Sequence, residues 1–237
     1  MEPLKQLAIA TAHRYSVIVS VFDADERIPE LATGSLIACA EGPVLVTAAH
    51  VLHRHLDLAT AGRLQIGANR FTLHSLPEHL IHFSRTRDIA AVLLDEDDLP
   101  EIGKEPFPFP EIAASGVEGN DLVAFVGYPG QWKDLSRSPT VSLGFYEFFG
   151  PVRTVEDDQF SILVEPWYEF RTTTTRPNFV PGEAEALGGL SGAPIFSATR
   201  PPRLVGWIYE GSLWSPVDHK LYAVHANAVT QLCSWAS

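Results

Sequence analysis

One serine of the chain, Ser191, lies in the stretch GGLSGAPIF, residues 188–196, with glycines on both sides. Glycine is favoured where the backbone adopts a positive φ or where main-chain N–H groups come close to a bound group. This setting fits either an ordinary turn or the loop that carries a nucleophile. A serine hydroxyl becomes an effective nucleophile only when a base takes its proton and a third group orients that base. A catalytic Ser191 would therefore need a histidine and a carboxylate from elsewhere in the chain.

Candidates for these two partners lie beside predicted strands in the first half of the sequence. His50 follows the apolar run PVLVT and a pair of alanines, which would place an imidazole at the end of a strand. Asp88 directly precedes the apolar run IAAVLL, which would place a carboxylate at the start of another strand. Together with Ser191 they form a candidate triad for attack on a carbonyl carbon.

Short apolar runs separated by turn residues recur along the whole chain. The 18 prolines and 17 glycines interrupt runs such as YSVIVSVF, DLVAFVGYPG and RLVGWIYEG, and few windows show a helical period. This pattern predicts an all-β protein. The last stretch, NAVTQLCSWAS, is the main helical candidate and predicts a short C-terminal helix.

The predicted strands form two sets of similar size. The stretch EDDLPEIGKEPFPFPEIAASGVEGND separates them, and its prolines and carboxylates are typical of a connector. We therefore expect an N-terminal domain over residues 1–115 that carries His50 and Asp88. A C-terminal domain over residues 116–237 would carry Ser191 and the terminal helix.

The order His, Asp, Ser separates the candidate folds, because α/β-hydrolases run Ser, Asp, His and subtilisin-like enzymes run Asp, His, Ser. TGSLIA and TAAH lie in the first half, RDIAAVLL follows them, and GLSGAPI lies in the second half. With these segments in this order, the chain resembles the chymotrypsin-like (trypsin-like) serine peptidases over nearly its whole length. The resemblance implies two packed six-stranded antiparallel β-barrels with the active site between them.

The same resemblance implies a serine endopeptidase that works through an acyl-enzyme intermediate and needs no cofactor. His50 would act as general base and then as general acid, and Asp88 would orient its ring. Ser191 would attack the carbonyl of a protein or peptide substrate. The backbone N–H groups of Gly189 and Ser191 would form the oxyanion hole.

The resemblance also assigns substrate-binding residues. The strand GWIYEG would pair with the substrate backbone through Tyr209, Glu210 and Gly211. Glu185 falls where a carboxylate lies at the base of the primary pocket in enzymes that cut after Arg or Lys. Lys220 could line the same pocket and neutralise Glu185, so the preference for a basic residue stays open.

Two residues depart from the family pattern beside the site. Leu190 stands where digestive members carry an aspartate that pairs with a new N-terminus after cleavage, so we expect no activation by trimming. The serine loop must then be held by packing, or be set by a partner or a ligand. Tyr209 stands where a serine usually donates to the triad carboxylate, which would remove one supporting hydrogen bond.

The composition argues against several other classes of function. With a net charge of −12 and scattered Lys and Arg residues, the chain would repel a phosphate backbone. No window approaches the roughly 18 apolar residues that span a bilayer, and the N-terminus is not typical of a signal peptide. We expect a soluble, cytoplasmic, bacterial-type protein that binds neither nucleic acid nor membrane. A regulatory partner protein or a narrow substrate range would restrict its activity, because an uncontrolled cytosolic protease is harmful.

The cysteines bear on the compartment in which the protein is found. Cys39 and Cys233 lie near opposite ends of the chain and form no close metal-binding spacing. They allow one long-range disulfide or two reduced thiols, and we favour reduced thiols in a reducing compartment. The histidines of HVLHRH and HLIH form no zincin motif, so we expect no metal site.

Two alternatives to a peptidase stay open from the sequence. A catalytically silent trypsin-like domain could serve as a peptide-binding or scaffold module, since a fold does not determine a function. An esterase on the same scaffold would use the same residues and differ only in its substrate.

Overall fold

The structure of the chain is a computed structural model. It describes residues 1–22, 30–57, 63–67, 71–73, 76–108, 116–129, 133–134, 142–143, 145–164, 188–213 and 219–227. The helices are α1 (Glu2–Tyr15), α2 (Ala49–Asp57), α3 (Leu76–His79) and α4 (Leu99–Ile102), with a 3₁₀ turn at Glu96–Asp98. None of these helices is both long and apolar enough to cross a membrane.

The strands of the first half are β1 (Ser16–Phe22), β2 (Glu30–Cys39), β3 (Gly42–Thr47), β4 (Arg63–Ile66), β5 (Phe71–Leu73), β6 (Leu80–Ser84), β7 (Ile89–Leu93) and β8 (Phe107–Pro108). Those of the second half are β9 (Leu122–Gly127), β10 (Lys133–Asp134), β11 (Ser142–Leu143), β12 (Tyr146–Val155), β13 (Gln159–Val164), β14 (Pro194–Ser197), β15 (Leu204–Leu213) and β16 (His219–His225). The all-β prediction is confirmed.

The first-half strands form one curled, mostly antiparallel sheet. Its order is β5-β4-β1-β2-β3-β7-β6, with β8 added in parallel to β2. The six-stranded barrel expected here is present as a curled half-barrel sheet, and within the described residues its outer strands β5 and β6 do not pair with each other. Apolar runs predict strands but not whether the two ends of a sheet meet, because closure depends on tilt and stagger.

The second-half strands include a closed antiparallel barrel with the order β12-β13-β16-β15-β14-β9. Its interior holds a stack of aromatic rings, among them Phe125 and Phe148, whose centres lie 5.2 Å apart. Closure gives each of the six strands a partner on both sides over the body of the barrel. The predicted C-terminal helix lies outside the described residues except for its first residue, Asn227, and the predicted boundary at residues 115–116 stays a prediction.

Helix α1 was not predicted from the sequence. Ala8, Ala12 and Tyr15 form its buried face, which packs on β9, β14 and β12 of the closed barrel. Lys104 Nζ donates to the His13 carbonyl at 2.6 Å, and the His13 ring lies 2.5 Å from a Glu147 carboxylate oxygen. Alanine at the contact positions lets the helix approach the barrel closely, but it gives the sequence little of the hydrophobic periodicity by which a helix is recognised. A helix of this kind is stabilised by tertiary contacts that a sequence pattern does not display.

Cys39, at the end of β2, is disulfide-bonded. The expectation of two reduced thiols is therefore wrong, although Cys233, the other cysteine of the chain, lies outside the described residues. Separation in sequence says nothing about the distance between Cα atoms, which decides whether a disulfide can form. Because disulfides persist mainly in oxidising compartments, the cysteines no longer support a reducing one.

Candidate active site

His50 is placed by the junction between β3 and α2. Ala48 and Ala49 are buried at this junction and allow a close turn, and Val51 and Leu52 anchor the helix in the core. His50 itself stays accessible, with 46% of its side chain exposed. The apolar strand thus delivers an imidazole to the end of the first sheet, as the sequence predicts.

Asp88 lies in the turn before β7 with a φ of +49°. This left-handed conformation is more accessible to Asp and Asn than to most residues. Asp88 Oδ1 accepts a hydrogen bond from the His50 backbone N–H at 2.8 Å, and Asp88 Oδ2 lies 2.5 Å from His50 Nδ1. The Ala49 N–H also donates to the Asp88 carbonyl at 3.1 Å. A carboxylate facing Nδ1 holds the ring proton there, which makes Nε2 the basic nitrogen.

Ser191 lies in a tight loop that leads into β14. Gly189 and Gly192 adopt φ values of +98° and +88°, which explains the glycines around the serine. The Ala193 N–H donates to the Leu190 carbonyl at 2.9 Å, and the Gly192 N–H donates to the Ile208 carbonyl at 2.6 Å. The loop is therefore tied to β15 of the closed barrel.

Leu190 takes part in the packing of this loop. Its side chain is 1% exposed and belongs to the core of the closed barrel. The position that is occupied by aspartate in digestive relatives is thus a hydrophobic anchor here. Of the explanations open from the sequence, holding the loop by packing agrees with this placement.

A cleft of about 560 Å³ brings the candidate residues together. Its lining comprises His50, Arg85, Thr86, Asp88, Gly188, Leu190, Ser191, Ile208, Tyr209, Glu210, Gly211 and Leu221. The first sheet contributes the histidine and the aspartate, and the closed barrel contributes the serine loop and β15. Gly189 lies within the serine loop, whereas Glu185 lies outside the described residues.

The strand β15 borders the cleft with a partly unpaired edge. Its residues 210–213 pair with β16, and within the described ranges they have no ladder partner on the other side. Such an edge can accept a further extended chain. Glu210 and Gly211 belong to this edge and Tyr209 directly precedes it, and the pairing of a substrate backbone with these residues stays a prediction.

Tyr209 does not replace the missing serine hydroxyl. Its hydroxyl donates to Gln159 Oε1, and within the described part of the chain it makes no hydrogen bond to Asp88. Burial, followed by the charge of Glu210, raises the pKa of Tyr209, so the phenol stays protonated. Lys220 lies on β16 with its ammonium 4.8 Å from the centre of the Tyr222 ring, and it does not line the cleft.

Sequence reasoning missed several residues of the cleft wall. Arg85 and Thr86 lie just before Asp88 in the segment SRTRD, and both side chains are exposed. Because they lie so close in sequence to Asp88, a candidate catalytic residue, they could have been predicted to line the same site. Among the described residues, no three His, Cys, Asp or Glu side chains lie close enough together to hold a metal ion.

Known structures have a similar fold. The Rv3671c protease from M. tuberculosis in its active form is 14% identical, and the match covers 99% of this chain and 86% of that one with a TM-score of 0.56. The thermostable serine protease AL20 from an extremophilic microorganism is 15% identical, with coverages of 96% and 98% and a TM-score of 0.59. The serine endoprotease from Yersinia pestis is 16% identical at a TM-score of 0.56, and the match covers 96% of this chain but 64% of that chain. At these identities the likeness concerns the fold, and it confirms the predicted chymotrypsin-like architecture.

Sequence comparison identifies the family. No curated protein is detectably similar to the chain. Residues 32–206, however, match the model of the trypsin-like peptidase domain, and this range includes His50, Asp88 and Ser191. The chain therefore belongs to the trypsin-like peptidases, a family of serine endopeptidases.

Proposed function

We propose that this protein cleaves peptide bonds with a catalytic triad of His50, Asp88 and Ser191. The observation that carries the proposal is the hydrogen-bonded pair of His50 and Asp88 in the same cleft as Ser191. The pair supplies an oriented base, and the serine loop supplies a hydroxyl to the same cleft. This combination is what nucleophilic catalysis by serine requires.

The first half of the reaction forms the acyl-enzyme. Ser191 Oγ attacks the carbonyl carbon of the substrate while His50 Nε2 takes the hydroxyl proton. The tetrahedral intermediate then collapses, the C–N bond breaks, and His50 gives the proton to the leaving amine. In the second half a water molecule repeats these steps on the ester, which releases the acid and restores Ser191.

The serine loop supplies the oxyanion hole in this mechanism. The N–H groups of Gly189 and Ser191 would donate to the oxygen that becomes negative in the transition state. The positive φ of Gly189 permits both amides to face one point. One such donor is worth about 3 kcal/mol of transition-state stabilisation.

The substrate would be an extended peptide that adds to β15 at residues 209–211. Arg85 and Glu210 are exposed at the cleft and carry opposite charges. They would select side chains of the substrate, which supports a narrow substrate range as the restriction on activity. Restriction by a partner protein is the other possibility, and addition of candidate partners to a cleavage assay distinguishes the two.

A cytoplasmic location and a bacterial origin stay predictions. The disulfide of Cys39 counts against a reducing cytoplasm. Rapid alkylation of cysteines in freshly lysed cells, followed by mass spectrometry, tests the location. Complete alkylation of both cysteines without reductant would support the cytoplasm.

Labelling with a fluorophosphonate probe tests the triad. The purified protein is compared with Ser191→Ala, His50→Ala and the control Ser197→Ala, whose serine lies on β14 away from the cleft lining. We expect a single adduct by intact mass on the wild type and on the control, and none on the other two variants. A folded wild type that takes no adduct would favour the silent scaffold.

Cleavage assays then separate the peptidase from the esterase. Unlabelled wild-type protein, from a preparation that reacts with the probe, is incubated with a peptide library and with activated esters. Cleavage of peptides that is lost in Ser191→Ala supports the proposal. Hydrolysis of esters alone would assign the esterase.

A further inference from the structure

We propose that Thr33 is a positioning residue for the serine loop, and that its buried hydroxyl holds this loop in the geometry needed for catalysis. Thr33 lies on β2 of the first sheet, 0% exposed, whereas the loop belongs to the closed barrel. The catalytic part of this inference rests on the proposed function. The structural part, that the hydroxyl orders the loop, can be tested without activity.

The contacts of Thr33 link three elements at one point. Its Oγ1 lies 2.8 Å from the Gly189 carbonyl and 2.9 Å from the backbone nitrogen of Tyr128, just after β9. Its backbone N–H donates to the Ser191 carbonyl at 3.1 Å. Two carbonyls of the serine loop are therefore held by one residue of the opposite sheet.

The direction of the hydroxyl proton follows from these contacts. A threonine hydroxyl has one proton and can also accept hydrogen bonds. The Tyr128 N–H can only donate, so it occupies an acceptor site of Oγ1. The hydroxyl proton is then directed to the Gly189 carbonyl. Because a peptide unit is planar, fixing this carbonyl fixes the plane of the Gly189–Leu190 peptide.

The close approach of the two sheets supports the same conclusion. A Cβ on Gly192 would lie 2.0 Å from the Thr33 carbonyl oxygen, so the loop runs directly against β2. A Cβ on Gly127 would lie 2.5 Å from Leu190 Cδ2 and 3.2 Å from Thr33 Oγ1. The missing side chain of Gly127 leaves room for Leu190 and Thr33, which both lie next to this glycine.

This arrangement can replace an activating ion pair. Leu190 anchors the loop from the barrel side through packing, which has little directional preference. The hydroxyl of Thr33 supplies direction from the other side, at the peptide that directly follows the Gly189 N–H, and this N–H would bind the oxyanion. The loop would then be ordered by the fold itself, without cleavage of the N-terminus.

The matched variants are Thr33→Val, Thr33→Ser and Thr47→Val. Valine keeps the shape of threonine and removes the hydroxyl, whereas serine keeps the hydroxyl. Thr47 is also 0% exposed, and its hydroxyl donates to the Thr33 carbonyl at 2.8 Å, without a hydrogen bond to the serine loop. Thr47→Val therefore controls for the loss of a buried threonine hydroxyl at the same place.

Two measurements are made on each variant. Hydrogen exchange of a peptide that covers residues 188–193 reports loop order, and steady-state kinetics report kcat and KM. For Thr33→Val we expect faster exchange in this peptide and a kcat lowered about 30-fold, with KM changed less than about threefold, because an oxyanion donor acts mainly in the transition state. Thr33→Ser and Thr47→Val should stay within about threefold of the wild type.

Several results would overturn the inference. Wild-type exchange of residues 188–193 in Thr33→Val would remove its structural basis. Equal losses of kcat in Thr33→Val and Thr47→Val would indicate a general packing role. If Thr33→Val does not fold, Thr33→Cys takes its place as a variant with a weaker donor, and wild-type exchange and kcat in that variant would count against the proposal.

The failure of the proposed function would be visible separately. In that case the wild type takes no fluorophosphonate and cleaves no peptide, while hydrogen exchange still decides whether Thr33 orders the loop. A wild type that is labelled, with an unaffected Thr33→Val, would instead refute the role of Thr33 alone.

Discussion

Asp88 contacts His50 through both of its carboxylate oxygens, one facing the backbone N–H at 2.8 Å and the other facing ring Nδ1 at 2.5 Å. The first contact holds the start of α2, and the second holds the ring. The two contacts together fix the imidazole in rotation and in tautomer. In the proposed mechanism the carboxylate would also stabilise the positive charge that the ring acquires when it takes the serine proton.

Replacing Asp88 by Asn should lower kcat by about 10⁴-fold, because an amide can turn its NH₂ group toward Nδ1 and favour the wrong tautomer. Asn tolerates the φ of +49°, so the fold should persist. Peptide cleavage and urea denaturation measure the two effects. Asp158→Asn serves as the control, because that carboxylate is exposed and pairs with Arg87. A kcat within tenfold of the wild type would contradict the assigned role of Asp88.

The two glycines beside Ser191 should respond differently to substitution. Gly192→Ala should cost about 4 kcal/mol or more of unfolding free energy, because its Cβ would lie 2.0 Å from a backbone oxygen of β2. Gly189→Val should affect activity more than folding, with a strain of about 2 kcal/mol and a kcat lowered about 100-fold. Denaturation curves and kinetics on both variants test this contrast. Equal losses of stability would show that Gly189 is as confined as Gly192.

Leu190 should contribute to stability in the way that a core residue does. Leu190→Ala should lower the unfolding free energy by about 3 kcal/mol, and Leu190→Met by less than about 1.5 kcal/mol. Leu190→Asp should be the least stable of the three at neutral pH, because it buries a carboxylate among the apolar side chains of the barrel core. Urea denaturation ranks the variants. A stable Leu190→Asp would mean that a basic group reaches this position.

His82 on β6 should make the protein less stable in acid. Burial, followed by the charge of Arg87, lowers the pKa of His82 from its ordinary value of 6.5. The unfolded chain therefore takes up a proton at His82 more readily than the folded chain. The contribution of the neutral His82 ring to the free energy of unfolding is present above pH 6.5. It is lost as the pH falls through the lower pKa of His82 in the folded chain.

The unfolding free energy of the wild type should therefore fall more between about pH 7.5 and about pH 5 than that of His82→Gln. Arg87→Gln should reduce the difference, because it removes the second cause of the shift. Urea titrations across this range provide the measurement. Parallel curves for wild type and His82→Gln would show that the histidine does not contribute.

The local features of the site were predictable because each depends on neighbouring residues. An apolar run followed by small residues predicts a histidine at a strand end, and β3 with His50 follows that pattern. Glycines on both sides of Ser191 predict positive φ values, which Gly189 and Gly192 adopt. The chain order of histidine, aspartate and serine then selected one fold among several, and the architecture agrees.

Contacts between distant segments were not predictable in this way. The buried face of α1 is formed largely by alanines, so the sequence shows almost no periodic pattern of large apolar residues there. The helix is recognised only from its packing on the barrel. The disulfide of Cys39 depends on a distance in space that sequence separation does not report. The half-barrel form of the first sheet depends on how far its outer strands curl, which no local pattern reports.

The sequence by itself determined the residue types, their order and the local backbone of the serine loop, because these follow from side-chain chemistry and near neighbours. Only the tertiary structure decided that Thr33 and Leu190 both lie beside Gly127, and that Thr33 of the first sheet contacts two carbonyls of that loop. Nothing in the segment ATGSLIA marks Thr33 as different from any other strand threonine. The role proposed for Thr33 depends on two sheets, whose strands are far apart in sequence, being packed together at that residue.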